Sequence, residues 1–96
     1  MKSALTAVEI EHFSKDHPEW PLQGGKLVRE WSFKDFIAAM TFVNHIAAIA
    51  EAAGHHPDID IRYNRVVLAL VSHDAGGITE SDTAMASRIS AAFAAR

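Results

Sequence analysis

The sequence predicts an α+β fold in the order αββαββα, a four-stranded antiparallel sheet with helices packed on one face. Two observations carry that expectation. The reversals at Gly24-Gly25 and at Asn64 each separate short runs that read as paired strands. Three other segments open on residues suited to cap a helix, and in the last two of them apolar residues recur at steps of three and four. No repeat, linker or low-complexity tract interrupts the 96 residues, so residues 1–96 are expected to form one domain.

The first helix is expected to open at Thr6 with Glu9 three residues on, the spacing at which each side chain satisfies the other's free backbone donor. It runs to about Lys15, and His17-Pro18 stops it. Paired glycines at 24 and 25 tolerate positive φ, which predicts a hairpin turn between Trp20-Pro21-Leu22 and a strand Lys26–Phe33. Leu27, Arg29, Trp31 and Phe33 share one parity of that strand. Ser32 with Asp35 repeats the capping spacing. Phe36, Met40, Val43, Ala47 and Ala50 then line one face of a long helix, with Phe36 and Met40 in the core. Gly54 ends it, because a glycine just past a helix takes the left-handed conformation without a Cβ penalty. His55 and His56 emerge there. After Pro57-Asp58, strands at Ile59–Tyr63 and Arg65–His73 form a second hairpin. Val66, Leu68 and Leu70 face the helices, while Val67, Ala69 and Val71 share a side with Tyr63 and His73 and face a pocket or another subunit. Thr79, Ser81 and Asp82 offer caps for a last helix to about Ala95, which carries Met85, Ile89 and Phe93 into the core at steps of four.

Composition narrows the function. A net charge of -3 argues against a broad phosphate-binding face, and hence against nucleic acid. Charges break the apolar stretches before the roughly 18 residues a membrane span needs, so no membrane partner is expected. Without cysteine there is no disulfide framework and no thiolate zinc site. The start, Met1-Lys2-Ser3, lacks the apolar run of a signal peptide, and a cytoplasmic protein is expected. A chain this short buries little more than about 60% of its unfolded surface, so a homo-oligomer, dimer or tetramer, is expected too.

Half of the six histidines, His55, His56 and His73, are bracketed by Glu51 and Asp82. Imidazole, with an ordinary pKa of about 6.5, keeps both protonation states available near neutral pH, so such a cluster suits proton transfer or metal binding. An open zinc site would take three protein ligands and a water. The spacing lacks the two histidines four apart that put a pair of ligands on one helix face, and no metal is expected. His12, His17 and His45 have no such company and read as surface or core residues. Glu51, one helical turn before His55, is spaced to accept from its ring nitrogen, and Asp82 after the Gly76-Gly77 turn does likewise for His73. Taken singly, each has a plainer use: the histidine pair as a solvated helix end, Glu51 as a surface charge, Asp82 as an N-cap, Tyr63 and Trp20 as packing.

Taken together, Glu51-x3-His55-His56-Pro57-x5-Tyr63-x9-His73-x8-Asp82 resembles the signature of the pterin-4a-carbinolamine dehydratases. The resemblance extends to Trp20, to Arg29-Glu30-Trp31-Ser32-Phe33 with Asp35 and Phe36, and to Gly76-Gly77-Ile78-Thr79. Ser72 stands where many members have threonine, and the segment between Trp20 and Arg29 is short. The resemblance implies dehydration of a 4a-hydroxytetrahydropterin to quinonoid dihydropterin, a step that recycles the pterin of aromatic amino acid hydroxylases, with neither metal nor cofactor. It implies His55 and His73 as the acid-base pair, His56 as a pterin-orienting residue that shares in proton movement, and Glu51 and Asp82 as their supports. Backbone groups of Gly54, Val71, Ser72, His73 and Asp74 would bind the ring, with Trp20 at the pocket border. The alternative is a non-catalytic pterin-binding or dimerisation module, since vertebrate members also partner a homeodomain transcription factor.

Overall fold

Local capping chemistry sets the helices in the structure of the chain, a computed structural model that describes residues 3–93. The Thr6 N–H donates to Glu9 Oε1 at 2.8 Å and the Glu9 N–H to Thr6 Oγ1 at 3.2 Å, so α1 (Ala7–Asp16) opens on the expected capping box. None of its residues is fully buried; Ile10 and Phe13 lean half-buried on the core. Gly24 and Gly25, at φ 57° and 77°, join β1 (Leu22–Gln23) to β2 (Lys26–Ser32).

Ser32 is not a cap. It still pairs with Arg65 across the sheet, so β2 ends on it and not on Phe33. The cap of α2 (Phe36–Ala53) is Asp35, whose Oδ1 accepts the Ala38 N–H at 2.8 Å. The buried stripe of α2 is Ala39, Phe42, Val43, Ile46 and Ala50, turned away from the expected one. Phe36 is 46% exposed, Met40 half-buried and Ala47 exposed. Nearly every position from Phe36 to Ala50 is apolar or small, so periodicity alone does not select a face; the sheet takes the one bearing Phe42 and Ile46. With a mean hydropathy of 1.5, α2 is also long and apolar enough to cross a membrane by length and composition, although Glu51 breaks its apolar run after Ala50, as expected. In this fold its inner stripe is core.

β3 (Asp58–Arg62) and β4 (Arg65–Leu70) form the second hairpin, but the reversal takes in Tyr63, which is exposed at a left-handed φ of 54°. β4 stops at Leu70, short of His73. Ser72 makes an isolated bridge to Gly77, and His73–Ala75 form one 3-10 turn. The sheet is antiparallel in the order β1-β2-β4-β3, with β2 and β4 in register from Leu27 opposite Leu70 to Ser32 opposite Arg65. Alternation then sends Leu27, Trp31, Val66, Leu68 and Leu70 into the helix layer, where all are buried. Val28, Val67 and Ala69 lie half-buried on the other face, flanked by the ion pairs Lys26–Asp58 and Arg65–Glu30. α3 (Glu80–Ala92) opens on a second capping box, Thr79 with Asp82, and buries Met85 and Ile89, with Phe93 just beyond. It stops short of Ala95, which lies outside the described residues.

Candidate active site

Asp58 faces Ala69 across the sheet, so the loop leaving α2 and the loop leaving β4 emerge at the same end of the β3–β4 hairpin. The first turn of α3 sits against both. At Gly54 the backbone takes φ 67° and ψ 25°, and the next N–H, that of His55, turns back to the Ala50 carbonyl at 3.2 Å. His55 has left the helical path at that point.

The His55 ring meets Asp82 instead, Nε2 to Oδ1 at 2.5 Å. The Asp82 side chain has no exposed surface, and burying a carboxylate is costly unless donors surround it. Three do. Besides His55, the Ser72 hydroxyl donates to Oδ2 at 2.8 Å and the Thr79 N–H at 2.9 Å, while Ser72 Oγ also lies 2.8 Å from Thr79 Oγ1. An ionised carboxylate only accepts, so His55 presents a protonated Nε2 to it and Nδ1 is the ring nitrogen left for a ligand. Asp82 keeps its capping role while doing this.

The acid partners are exchanged relative to the sequence reading. Glu51 pairs with His56 Nε2, not with His55, because the turn at Gly54 breaks the helical geometry on which its spacing to His55 depends. Asp82 serves His55, not His73. The His73 side chain is 74% exposed on its 3-10 turn, with Nε2 3.9 Å from Asp58 Oδ1. One carboxylate nonetheless ties the two histidine loops together, since Asp82 holds both His55 and Ser72, the residue before His73.

A cleft of about 160 Å³ opens beside His55, lined by Ala53, His55, Ser81, Ala84, Met85 and Arg88. His56 and His73 are outside that lining. Two of the expected backbone contacts are already used within the chain: the Gly54 N–H turns back to α2, and the Ser72 N–H and carbonyl bond Gly77. Val71 is half-buried and Asp74 exposed. Trp20 is no pocket border; it is fully buried, its indole N–H donating to Ser90 Oγ at 2.9 Å and its ring set edge-on to Trp31. Tyr63 sits at the far end of β3 from the histidines. Sequence reasoning missed the Ser72 hydroxyl and the Thr79 N–H as supports of Asp82, and Arg88 at the cleft. Arg88 follows Ser81 by two helical turns, a spacing that could have revealed it. Among the described residues no three His, Cys, Asp or Glu side chains converge as a metal would require.

The family model described as Pterin 4 alpha carbinolamine dehydratase matches residues 3–92. A relative from Acidobacterium capsulatum is 58% identical over 87 residues, covering 91% of this chain and 95% of that protein. Another, from Chloroflexus aurantiacus, is 54% identical over 85 residues, covering 88% and 91%. Both bear names that place them with the pterin-4-alpha-carbinolamine dehydratases. Among solved structures, a transcriptional coactivator/pterin dehydratase from Brucella melitensis superposes with a TM-score of 0.84 at 34% identity, covering 93% of this chain and 97% of that one. A pterin dehydratase-like protein described as a RuBisCO assembly factor in the alpha-carboxysome gives 0.63 at 28% identity, covering 78% and 89%.

Proposed function

Because the chain belongs to the Pterin 4 alpha carbinolamine dehydratase family, we propose that it dehydrates 4a-hydroxytetrahydropterins to quinonoid dihydropterins by histidine acid-base catalysis. The observation that carries the proposal is the buried Asp82–His55 pair beside a cleft. In the carbinolamine the hydroxyl sits on the carbon next to ring nitrogen N5. As N5 pushes its lone pair toward that carbon, the C–O bond breaks, and the departing oxygen needs a proton to leave as water. The N5–H proton is then given up, which completes the C=N bond. One proton is delivered and one is taken, and no electron acceptor is required.

In this reading His55, oriented by Asp82, handles one of the two protons at Nδ1. His73, from the loop held to the same carboxylate through Ser72, handles the other. His56 with Glu51 orients the pterin from the solvent side. Such transfers contribute on the order of 10² to 10⁴ in rate, enough for a substrate that already loses water slowly unaided. The cellular role that follows is recycling of the pterin used by aromatic amino acid hydroxylases. The protein works as a homo-oligomer in this proposal: α2 leaves Phe36 46% and Ile37 72% exposed, apolar surface that a second copy would cover. Light scattering of the purified protein reads that state.

The test of the activity is to generate the 4a-hydroxypterin with a hydroxylase and follow the quinonoid product with and without the protein. His55→Ala and His73→Ala each should lose roughly 10² or more of the catalytic increment. Wild-type rates from both variants would overturn the mechanism. A second reading, an interaction module that binds pterin without turnover, draws support from the neighbour described as a RuBisCO assembly factor. Pterin binding without product formation would favour it.

A further inference from the structure

Arg88 stands apart from the other described arginines of the fold. Arg65 pairs with Glu30, Arg62 with Asp60, and Arg29 donates to Ser90 Oγ while lying over the Trp31 ring. Arg88 is exposed, and among the described residues its guanidinium has no hydrogen bond and no ion pair. It lines the same cleft as His55. Ser81, Ala84 and Arg88 follow one another along one face of α3, so that Arg88 lies about 10 Å along the helix from Ser81 at a rise of about 1.5 Å per residue.

The cleft therefore has two ends of different chemistry. At one, His55 offers a ring nitrogen whose orientation Asp82 fixes. At the other, a guanidinium with five donors in a planar fork faces the opening without an acid of its own. Asp82, the carboxylate that holds His55 at the cleft, is buried and already takes three donors, so it does not neutralise Arg88. Such a fork is matched by the paired oxygens of a carboxylate or a phosphate. Met85 and Ala84 between the two ends are apolar and suit the flat body of a ring system.

We propose that Arg88 is a specificity-determining residue that receives an anionic substituent on the pterin, so that the favoured substrates carry a carboxylate or phosphate on the ring's side chain. The inference rests on the dehydratase reading of the same cleft, and it deepens that reading by naming the substrate class. A neutral polyol side chain would leave the guanidinium solvated and gain nothing from it. An oxyanion would form charge-assisted hydrogen bonds, which in a partly open site are worth about 10-fold in affinity.

Three stable probes test this by fluorescence titration: neopterin, neopterin monophosphate and pterin-6-carboxylate, each against wild type, Arg88→Ala and Arg88→Lys. The expected result is that at least one anionic probe binds wild type about 10-fold or more tightly than neopterin, with the advantage shrinking as salt rises. Arg88→Ala removes that advantage, and Arg88→Lys keeps part of it. Which anionic probe gains shows whether the fork prefers carboxylate or phosphate. Equal binding of all three probes, or a preference that survives Arg88→Ala, overturns the inference and leaves the dehydratase reading standing. If none of the probes binds and no carbinolamine is turned over, both fall. A steady-state comparison adds a readout that a purely structural role would not move: with an anionic carbinolamine, Arg88→Ala should raise KM while the melting temperature stays at the wild-type value.

Discussion

Two imidazole–carboxylate pairs leave the same short loop in opposite settings. In the inner pair, His55–Asp82, the side chains are 20% and 0% exposed; in the outer pair, His56–Glu51, they are 62% and 77% exposed. The chemical groups are the same, and burial separates them. Water screens the outer pair, and exposed ion pairs of this kind contribute about 0 to 1 kcal/mol. The inner carboxylate cannot swing away, because Ser72 and Thr79 pin its other oxygen from inside the fold. His55 consequently has one orientation and one ring nitrogen to spare.

A third pair shows that burial is not sufficient. His17 Nδ1 lies 3.1 Å from Glu19 Oε2, with side chains 28% and 30% exposed. The same Glu19 oxygen takes the Ser90 hydroxyl at 2.6 Å, and Ser90 Oγ in turn accepts from Trp20 and from Arg29. The other ring nitrogen of His17 faces Ser87 Oγ at 3.4 Å. Both nitrogens are occupied, so this network joins the Trp20 segment, β2 and α3 and has nothing left for a ligand. A site needs a fixed carboxylate and a free imidazole edge together, and among the three pairs His55–Asp82 combines them beside a cleft.

The largest effect is expected from Asp82→Asn. The amide cannot accept from His55, Ser72 and Thr79 at once without turning a donor toward one of them. Turnover should fall about 10- to 100-fold, as when a group that orients a working imidazole is lost. Stability should drop by about 1 to 3 kcal/mol, the usual range for a buried hydrogen-bonding group left unsatisfied. Carbinolamine turnover and thermal melting measure the two. An Asp82→Asn protein that melts early but turns over like wild type would reduce the inner pair to a cap.

The His17–Glu19 pair answers to acid rather than to substrate. Burial by itself would raise the Glu19 carboxyl, but hydrogen bonds from Ser90, its own backbone and His17 outweigh burial and hold it at about 2, below its ordinary 4.5. A carboxyl depressed in the folded state favours folding most when ionised. Its contribution is thus full above its unfolded value and fades as pH falls from about 4.5 toward 2. Glu19→Gln should flatten the acid side of the melting temperature against pH in that window and leave carbinolamine turnover near wild type. Superimposable acid limbs would show that the network does not hold the fold in this way.

Much of this was legible from the sequence where the backbone's own needs decide the outcome. Thr6 with Glu9, Gly24-Gly25, Gly54, and Thr79 with Asp82 each satisfy or turn backbone locally, and each stands where its spacing predicts. What sequence did not yield depends on contacts between distant segments. His55 and Asp82 are 27 residues apart, and no local spacing announces that they meet. The face of α2 was hidden for the reverse reason, since so many of its residues are apolar that all faces look alike. Trp20 has the same composition signal as pocket border or as core, and its complete burial against Trp31, with its bond to Ser90 on α3, separates the two.

The smallest effect expected is at Glu51, and it is the one that measures how far the outer pair differs from the inner. With both side chains largely in water, Glu51→Gln removes a charge whose attraction to His56 is already screened, and the amide oxygen can still accept from the ring. Turnover should change by at most about 5-fold, the equivalent of an exposed pair. Raising salt should mimic the substitution in the wild type, because screening and charge removal act on the same interaction. A loss of turnover as large as that of Asp82→Asn, at an unchanged melting temperature, would mean that substrate binding dehydrates His56–Glu51 and makes it a second buried pair. Burial in the free protein would then be the wrong measure of which histidine works.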